Sequence, residues 1–412
     1  MTIKNYTVVP YQPSWPIWFK EESDNIKLIF KHAILKSHHI GSTSVPGLAG
    51  KPTIDMLFIV KNVSQIDSQL ILMEKIGYQS LGAKNDPGTR LLEKYVNGQR
   101  RFIAHFYPVN HPEIKQMLAT RDYLRSHPLD TKKYSVLKFS LFKKFPNYYQ
   151  KYSAQKYKLM ATIKKKALAW SNNITAFQNA RQKEKNKIFK KLITIFSAIA
   201  LEGHIFGSLA RGSSDEFSDI DFWATFSDQK IKKIIAQRLK LYKKIGKIII
   251  YHEAQQNYPL GGTYAYLLFQ TSAGPIHVDL YLSPKNSARL WGKSKILFNK
   301  KNLKIPKGKM IYETKRETRD IQDRVKFIIC MTFNGIKKII RKNDNKFLDF
   351  LVEIYNDLRQ KSFPKIKKVT PKNSTKTLEK ILDNLFIISN RENRQAIQQI
   401  KLFLNQIKKL YL

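Results

Sequence analysis

Between Gly207 and Trp223 the chain reads GSLARGSSDEFSDIDFW, and Asp215, Glu216, Asp219 and Asp221 fall close together within it. The cluster stands out because the whole chain holds 74 Lys and Arg against 31 Asp and Glu. Asp219 and Asp221 are separated by Ile220 and followed by Phe222. In a strand, residues i and i+2 face the same way, so the two carboxylates project together while Ile220 and Phe222 enter a core. Adjacent carboxylates repel unless a cation bridges them. Hard oxygen donors with open positions suit Mg²⁺, which is commonly bound by one or two carboxylates plus substrate phosphates. Upstream, Gly207-Ser208 sits where a strand gives way to a helix. Free N–H groups and the helix dipole there favour an anion, and glycine lets phosphate approach the backbone. A third acid, Asp279, lies in IHVDLYL between Val278 and Leu280. A carboxylate in an apolar strand is costly unless it faces a site. Beside the pair it would complete a metal cluster for one or two Mg²⁺ ions, or take a proton from an attacking hydroxyl. The chemistry this predicts is cations held by Asp219, Asp221 and Asp279, and a triphosphate held by the cations.

Those residues need a strand–turn–strand frame, and the pattern along the chain supplies it twice. Residues 14–32 have helical apolar spacing, followed by the strand-like AILKSHHIG and a near-continuous apolar run, PTIDMLFIV, over 52–60. Residues 64–77 read as a helix closed by Gly77, and 89–109 as a hairpin turning at Asn97-Gly98. From Pro112 to about residue 169 the pattern is helical, with breaks at Pro128 and Pro146. The polar stretch 170–187 leads into a helix and is the best boundary. Then come strand GHIF, Gly207-Ser208, strand 219–226, helix 229–246 and strands KIIIYHE, 264–271 and 275–283. After Lys300 the chain reads as helices interrupted by a loop at 362–374. This predicts an α+β protein with three parts: 1–170, 185–300 and a C-terminal helical bundle over 301–412.

Bulk composition bounds the rest. At 412 residues, two or three domains of about 150 residues are expected. The 42% hydrophobic content excludes a disordered chain. The single cysteine, Cys330, excludes an intrachain disulfide and a cysteine-based zinc site, and suits a reducing cytoplasm. The N-terminal residues have no signal-type apolar core, and no run of about 18 apolar residues occurs, so neither export nor a membrane partner is expected. The net charge of +43 is compatible with an RNA partner, but lysine is dispersed along the chain rather than clustered.

The stretch FGSLARGSSDEFSDIDFW resembles the signature of the polymerase-β-type nucleotidyltransferases: Gly-Ser, a short spacer, then two acids flanking one apolar residue. The ARG, DEFSD and FW elements are most similar to the lincosamide- and aminoglycoside-modifying branch. The resemblance spans about 190–285. It implies that Gly207, Ser208 and Arg211 bind phosphates of an NTP co-substrate, that Asp219 and Asp221 bind Mg²⁺, and that Asp279 is the third acid. Asp215 and Glu216 read as turn residues.

The first half resembles the GrpB family in HIGSTSVPGLAGKPTIDMLFIV (39–60), in VPYQPSWPIWFKEE and in RDYLRSHP (121–128). That family is regarded as nucleotidyltransferase-like, so the resemblance implies two tandem nucleotidyltransferase-like mixed-sheet domains. Gly41 and Ser42 then correspond to the phosphate turn and Asp55 to an acid. Leu57 stands where the second half has Asp221, so paired acids are lacking. Lys51 and Arg121, with His39, Arg90 and Arg125, are candidate cations for phosphate. His105 matches one histidine of a His-x-His element whose other place is Ile103.

Three readings stand at this point. The leading one is transfer of a nucleoside monophosphate from an NTP, ATP first, to a hydroxyl of a small molecule such as an antibiotic. The others are the same chemistry on RNA or protein, and a nucleotide-binding regulator without turnover.

Overall fold

The computed structural model describes residues 6–83, 86–312, 320–341, 345–358, 366 and 373–411. The basic part of the loop expected at 362–374 lies mostly outside them. The chain forms two compact units, Met1–Ile174 and Thr175–Tyr411.

In the first unit, α1 (Trp15–Phe30) precedes β1 (Ile34–Ile40) and β2 (Ile54–Val60). The helix expected over 64–77 is two short ones, α2 (Ser64–Asp67) and α3 (Leu70–Lys75), interrupted at Ser68–Gln69. They lead to β3 (Tyr78–Ser80), β4 (Arg90–Val96) and β5 (Gln99–Pro108). The β4–β5 hairpin turns on Asn97 (φ 50°) and Gly98 (φ 71°), the left-handed pair that a two-residue type I′ turn requires. Helices α4 (Pro112–Ser126), α5 (Pro128–Lys144) and α6 (Tyr149–Ile199) follow. Strand order is β1-β2-β5-β4-β3, with β2 and β5 parallel and the other pairs antiparallel. Trp15, Ile26 and Phe30 of α1 bury with Met56, Phe58 and Phe106 of the sheet. Each such side chain contributes about 1.5–3 kcal/mol by leaving water.

The stretch 170–187 is helical from end to end, as part of α6. Its Ala, Gln, Lys, Glu and Arg favour helix. Phe177, Arg181, Lys185, Ile188, Leu192 and Phe196 recur at three- and four-residue spacing and are all buried, so the helix carries a continuous inward stripe.

In the second unit, the end of α6 leads to β6 (Glu202–Ile205), α7 (Gly207–Arg211) and β7 (Ile220–Phe226). The helix expected over 229–246 divides at Gln237 into α8 (Asp228–Ala236) and α9 (Arg238–Ile245). Next come β8 (Ile248–His252), β9 (Thr263–Phe269), β10 (Ile276–Pro284) and an unanticipated edge strand, β11 (Lys295–Asn299). The C-terminal helices are α10 (Ile321–Ile340), α11 (Asn345–Leu358), α12 (Ser374–Ile388) and α13 (Arg391–Tyr411). The sheet order is β11-β6-β7-β10-β9-β8, with β7 and β10 parallel. Apart from β11, this repeats the order and the single parallel pair of the first sheet. The molecule is thus a mixed α+β protein with two mixed sheets.

The second sheet is covered on both faces. Ile220, Phe222, Val278 and Leu280 bury with Leu192 and Phe196 of α6. From the other face, Trp223, Tyr264 and Tyr281 join Ile329, Phe333 and Ile400 of the C-terminal helices in one core. These helices, read from sequence as a separate region, share a compact unit with the sheet because their apolar stripes close against it. No helix among the described residues is long and apolar enough to cross a membrane.

Candidate functional site

Strand alternation puts Ile220 and Phe222 into the core below and leaves Asp221 on the opposite face. The parallel β7–β10 register pairs Asp221 with Asp279. Asp219 stands just before β7, at the end of a loop fixed from several sides. Asp215 accepts from Phe217 N at 3.0 Å and from the Ser218 hydroxyl at 2.8 Å, which makes it the turn residue. Arg341 grips the same carboxylate with two nitrogens at 2.6 and 3.0 Å. Lys185 donates to Ser214 Oγ at 2.9 Å and to the Asp215 carbonyl.

Two residues missed in the sequence complete the centre. His277 lies between the acids, with Nε2 3.1 Å from Asp279 and Nδ1 3.4 Å from Asp219. Lys337 of α10 donates to Asp219 Oδ2 at 3.2 Å and lies 3.2 Å from His277 Nδ1. Donor atoms of Asp219, His277 and Asp279 all lie within 4.8 Å of one another. Tyr264 donates to Asp279 at 2.5 Å, and the Tyr266 ring stacks on His277 with centroids 3.8 Å apart. His277 was legible as the i−2 neighbour of Asp279 on one strand face. Lys337 had a fainter signal: it is a cation four residues after Phe333 on the apolar stripe of an amphipathic helix.

The electrostatics divide the carboxylates. Burial opposes ionisation of Asp219, but Lys337 and His277 outweigh it and hold the acid well below the ordinary carboxylate range. Burial, followed by the charges of Asp279 and Asp219, pushes Asp221 up to about 7. Burial also opposes charge on His277, yet the adjoining Asp279 and Asp219 carboxylates prevail and its pKa is raised.

The Gly207 turn fits against this cluster. Gly207 has φ +67°, and a Cβ built on it would overlap Asp221 Oδ2. Ser208 Oγ is buried with no hydrogen-bond partner among the described residues. Arg211, at the end of α7, is exposed. Asp219 and Asp279 offer the hard carboxylate oxygens Mg²⁺ prefers, with His277 as the third donor in mutual reach and Asp221 facing Asp279 in the strand register, so the residues present fit that ion.

The first unit repeats the frame with different chemistry. Gly41 has φ +72°, and a Cβ there would overlap Asp55 Oδ2. Asp55 lies fourteen residues after Gly41, as Asp221 does after Gly207. Asp55 is therefore the counterpart of Asp221, and Thr53 is the counterpart of Asp219. This corrects the alignment that paired Leu57 with Asp221: the turn glycine, rather than the apolar run, sets the register. The lost acid is the first one. The position facing Asp55 on the parallel neighbour is Ile103, where the second sheet has Asp279. His105 lies 3.6 Å from Asp55. Burial resists ionisation of Asp55, but His105, then Lys51 and Arg100, hold its pKa below the ordinary value. The arrangement makes His105 a partner of Asp55, and His39 on the neighbouring strand also feels the charge of that carboxylate.

Most cations expected at the Gly41-Ser42 turn are otherwise engaged. Arg121 pairs with Asp122 at 2.8 Å and donates to the His39 carbonyl at 3.3 Å. Arg125 donates to the Ser44 carbonyl at 2.6 and 2.9 Å. Arg90 is bidentate on Asp67, at 2.6 Å for each bond. His39, stacked on Phe19, is kept neutral by burial, which lowers its pKa to about 4. The Ser42 hydroxyl accepts from buried Lys138. These contacts make Arg121 a clamp on the end of β1 and Arg125 a clamp on the backbone of the turn that follows. Lys51 differs: the hydrogen bond its ammonium makes among the described residues is to the Tyr149 hydroxyl, at 3.0 Å, and it lies over that residue's ring.

Comparison with known proteins places this first segment. The family model described as GrpB protein matches residues 5–166. A UPF0157 protein of Halalkalibacterium halodurans is 31% identical over 163 residues, covering 40% of this chain and 83% of that protein. The chain belongs to the GrpB family. UPF0157 protein YqkA of Bacillus subtilis is 38% identical over 166 residues, 40% of this chain; the match spans 47% of YqkA, about half its length. The crystal structure of the conserved protein GrpB from Enterococcus faecalis is 40% identical, covers 40% of this chain and 98% of its own, and has a TM-score of 0.38. The GrpB match ends before α6 does, so the carboxylate cluster at Asp219, Asp221 and Asp279 lies outside it.

Proposed function

We propose that residues 175–411 are a Mg²⁺-dependent nucleotidyltransferase. It moves a nucleoside monophosphate from an NTP, with ATP the first to test, to a hydroxyl of a small molecule such as an antibiotic. The carrying observation is the pairing of Asp221 with Asp279 beside the Gly207 turn, with Asp219, just before β7, bringing a donor atom within 4.8 Å of Asp279. The shared strand order of the two sheets supports a nucleotidyltransferase-like fold for both units.

In this reading Asp219 and Asp221, with Asp279, hold Mg²⁺. Once bound there, the ion would supply neutralisation of phosphate charge and favour the ionised acceptor hydroxyl. The unpartnered Ser208 hydroxyl and the N–H groups after Gly207 orient the phosphates. Asp279 takes the acceptor proton as the acceptor oxygen bonds to the α-phosphorus. The bond from that phosphorus to the β-phosphate oxygen breaks, and pyrophosphate leaves. Lys337 and His277 keep Asp219 ionised for this work.

The test is incubation with each NTP, Mg²⁺ and a panel of hydroxylated acceptors, followed by mass spectrometry. A nucleoside-monophosphate mass increment on one acceptor is expected, with matching pyrophosphate release. No increment and no pyrophosphate with any pairing, including RNA and protein acceptors, overturns the reading in favour of nucleotide binding alone.

A further inference from the structure

The first unit contains a cavity of about 730 Å³, a size suited to a small ligand. It is lined by Tyr6, Lys51, Tyr95, Arg100, Phe142 and Tyr149, together with the Asn97–Gln99 turn. Nothing in the carboxylate chemistry of the second unit involves it.

Its wall is electropositive. Lys51 lies 4.2 Å over the Tyr149 ring and 3.0 Å from its hydroxyl. Arg100 has one nitrogen 3.1 Å from Glu93. Lys138 and Lys156 lie close enough to Lys51 to feel its charge; burial first, then their cationic neighbours, lowers both their pKa values. Burial would raise the Tyr149 hydroxyl, yet Lys51, Lys156 and Arg100 bring it below its ordinary value. Of these, Lys51 and Arg100 line the cavity itself, Arg100 being paired with Glu93, while Asp55, outside the lining, is already approached by His105. An anion in the cavity would relieve that crowding.

The wall is also aromatic. Tyr6 packs edge-on against Phe142 and Tyr149, with centroids 5.3 and 5.4 Å apart. Tyr95 is 44% exposed, and its ring meets no other ring among the described residues. Its hydroxyl is oriented by Glu93 at 3.2 Å. An exposed ring anchored at one end beside a cationic wall is a stacking platform for a planar group.

We propose that this cavity binds a phosphoanion joined to a planar aromatic group, a nucleoside phosphate by class, without a divalent metal. Lys51 and Arg100 receive the phosphate and Tyr95 stacks on the ring. The site is separate from the Gly41-Ser42 turn, whose hydroxyl Lys138 already engages. It also stands apart from the transfer proposed for residues 175–411 and can fail without it.

The experiment titrates ADP, inorganic phosphate and adenosine into the full chain by calorimetry in EDTA. The background is Asp219→Asn/Asp221→Asn, so that metal-dependent binding in the second unit does not contribute. ADP binding is expected to persist there. Lys51→Ala should weaken ADP by about tenfold with an unchanged melting temperature, and Lys51→Arg should restore most of it. Tyr95→Ala should weaken ADP and leave phosphate unchanged. The proposal is overturned if ADP does not bind in this background, or if Lys51→Ala leaves its affinity unaltered. Tyr95→Ala without effect on ADP overturns the aromatic half of the assignment, as does phosphate binding as tightly as ADP.

Discussion

Gly207 has no side chain because Asp221 fills the place where one would be. A Cβ at Gly207 would overlap Asp221 Oδ2, and Gly41 stands in the same relation to Asp55. Gly207→Ala should therefore displace the carboxylate and strain a backbone at φ +67°, costing about 1–2 kcal/mol. Pyrophosphate release should fall by about a hundredfold or more, since small misplacements near reacting groups carry that penalty. Release assays paired with a thermal melt separate the two effects; unchanged turnover in Gly207→Ala would exclude Asp221 from the chemistry.

Asp219→Asn and Asp221→Asn should each lower transfer by at least about a thousandfold. Asp55→Asn should leave it unchanged, because the first unit lacks an acid at Thr53 and at Ile103. Pyrophosphate release from the three full-length variants checks this. A loss in Asp55→Asn equal to that in Asp221→Asn would place the chemistry in the GrpB segment.

Ser208→Ala offers a dissociation of stability from binding. A buried hydroxyl without a partner among the described residues contributes no hydrogen bond to their packing, so removing it should leave the melting temperature equal or slightly higher. The KM for NTP should rise by about fivefold to tenfold through loss of one phosphate contact. A lower melting temperature with unchanged KM would make Ser208 a structural residue.

The raised pKa of Asp221 gives the metal-free protein a pH signature. Its folded value, about 7, lies above the unfolded 3.8, so the folded state binds the extra proton between them. The stability it contributes is fully present below the unfolded value and is lost as pH rises through 7. In EDTA, Asp221→Asn should melt higher than the parent at pH 8, with the gap narrowing by pH 5. A gap independent of pH would show that Asp221 is ionised throughout.

Salt separates the acceptor classes. A small-molecule acceptor predicts a KM that changes little between low and moderate salt. Steep weakening with salt, through counterion release, would transfer the acceptor assignment to RNA.

Much of this architecture was legible in the residues. The Asn97-Gly98 hairpin and the acid-bearing strands follow from local chemistry, although Asp219, expected as the first strand residue, stands one position before β7. The edge strand β11 was not, because Lys295–Asn299 has no strong alternation and is defined by pairing with β6. The interruption at Gln237 had no glycine or proline to announce it. The assignment of Leu57 failed because spacing was counted to the wrong acid, whereas the close approach of Gly41 to Asp55 is a three-dimensional fact. Arg121 and Arg125 looked like phosphate ligands because sequence cannot reveal that the carbonyls of His39 and Ser44 already use them. Lys337 lies 118 residues from Asp219, beyond any local pattern.

Lys337 carries one last consequence. Its ammonium already supplies a positive charge to Asp219, so the polypeptide brings its own counter-ion to the acidic centre. Maturation of the protein is then not tied to metal supply, unlike small zinc modules that stay unfolded until loaded. Under the Mg²⁺-dependent transfer proposed above, cells starved of magnesium would accumulate an intact but idle protein, ready to resume work on repletion without new synthesis.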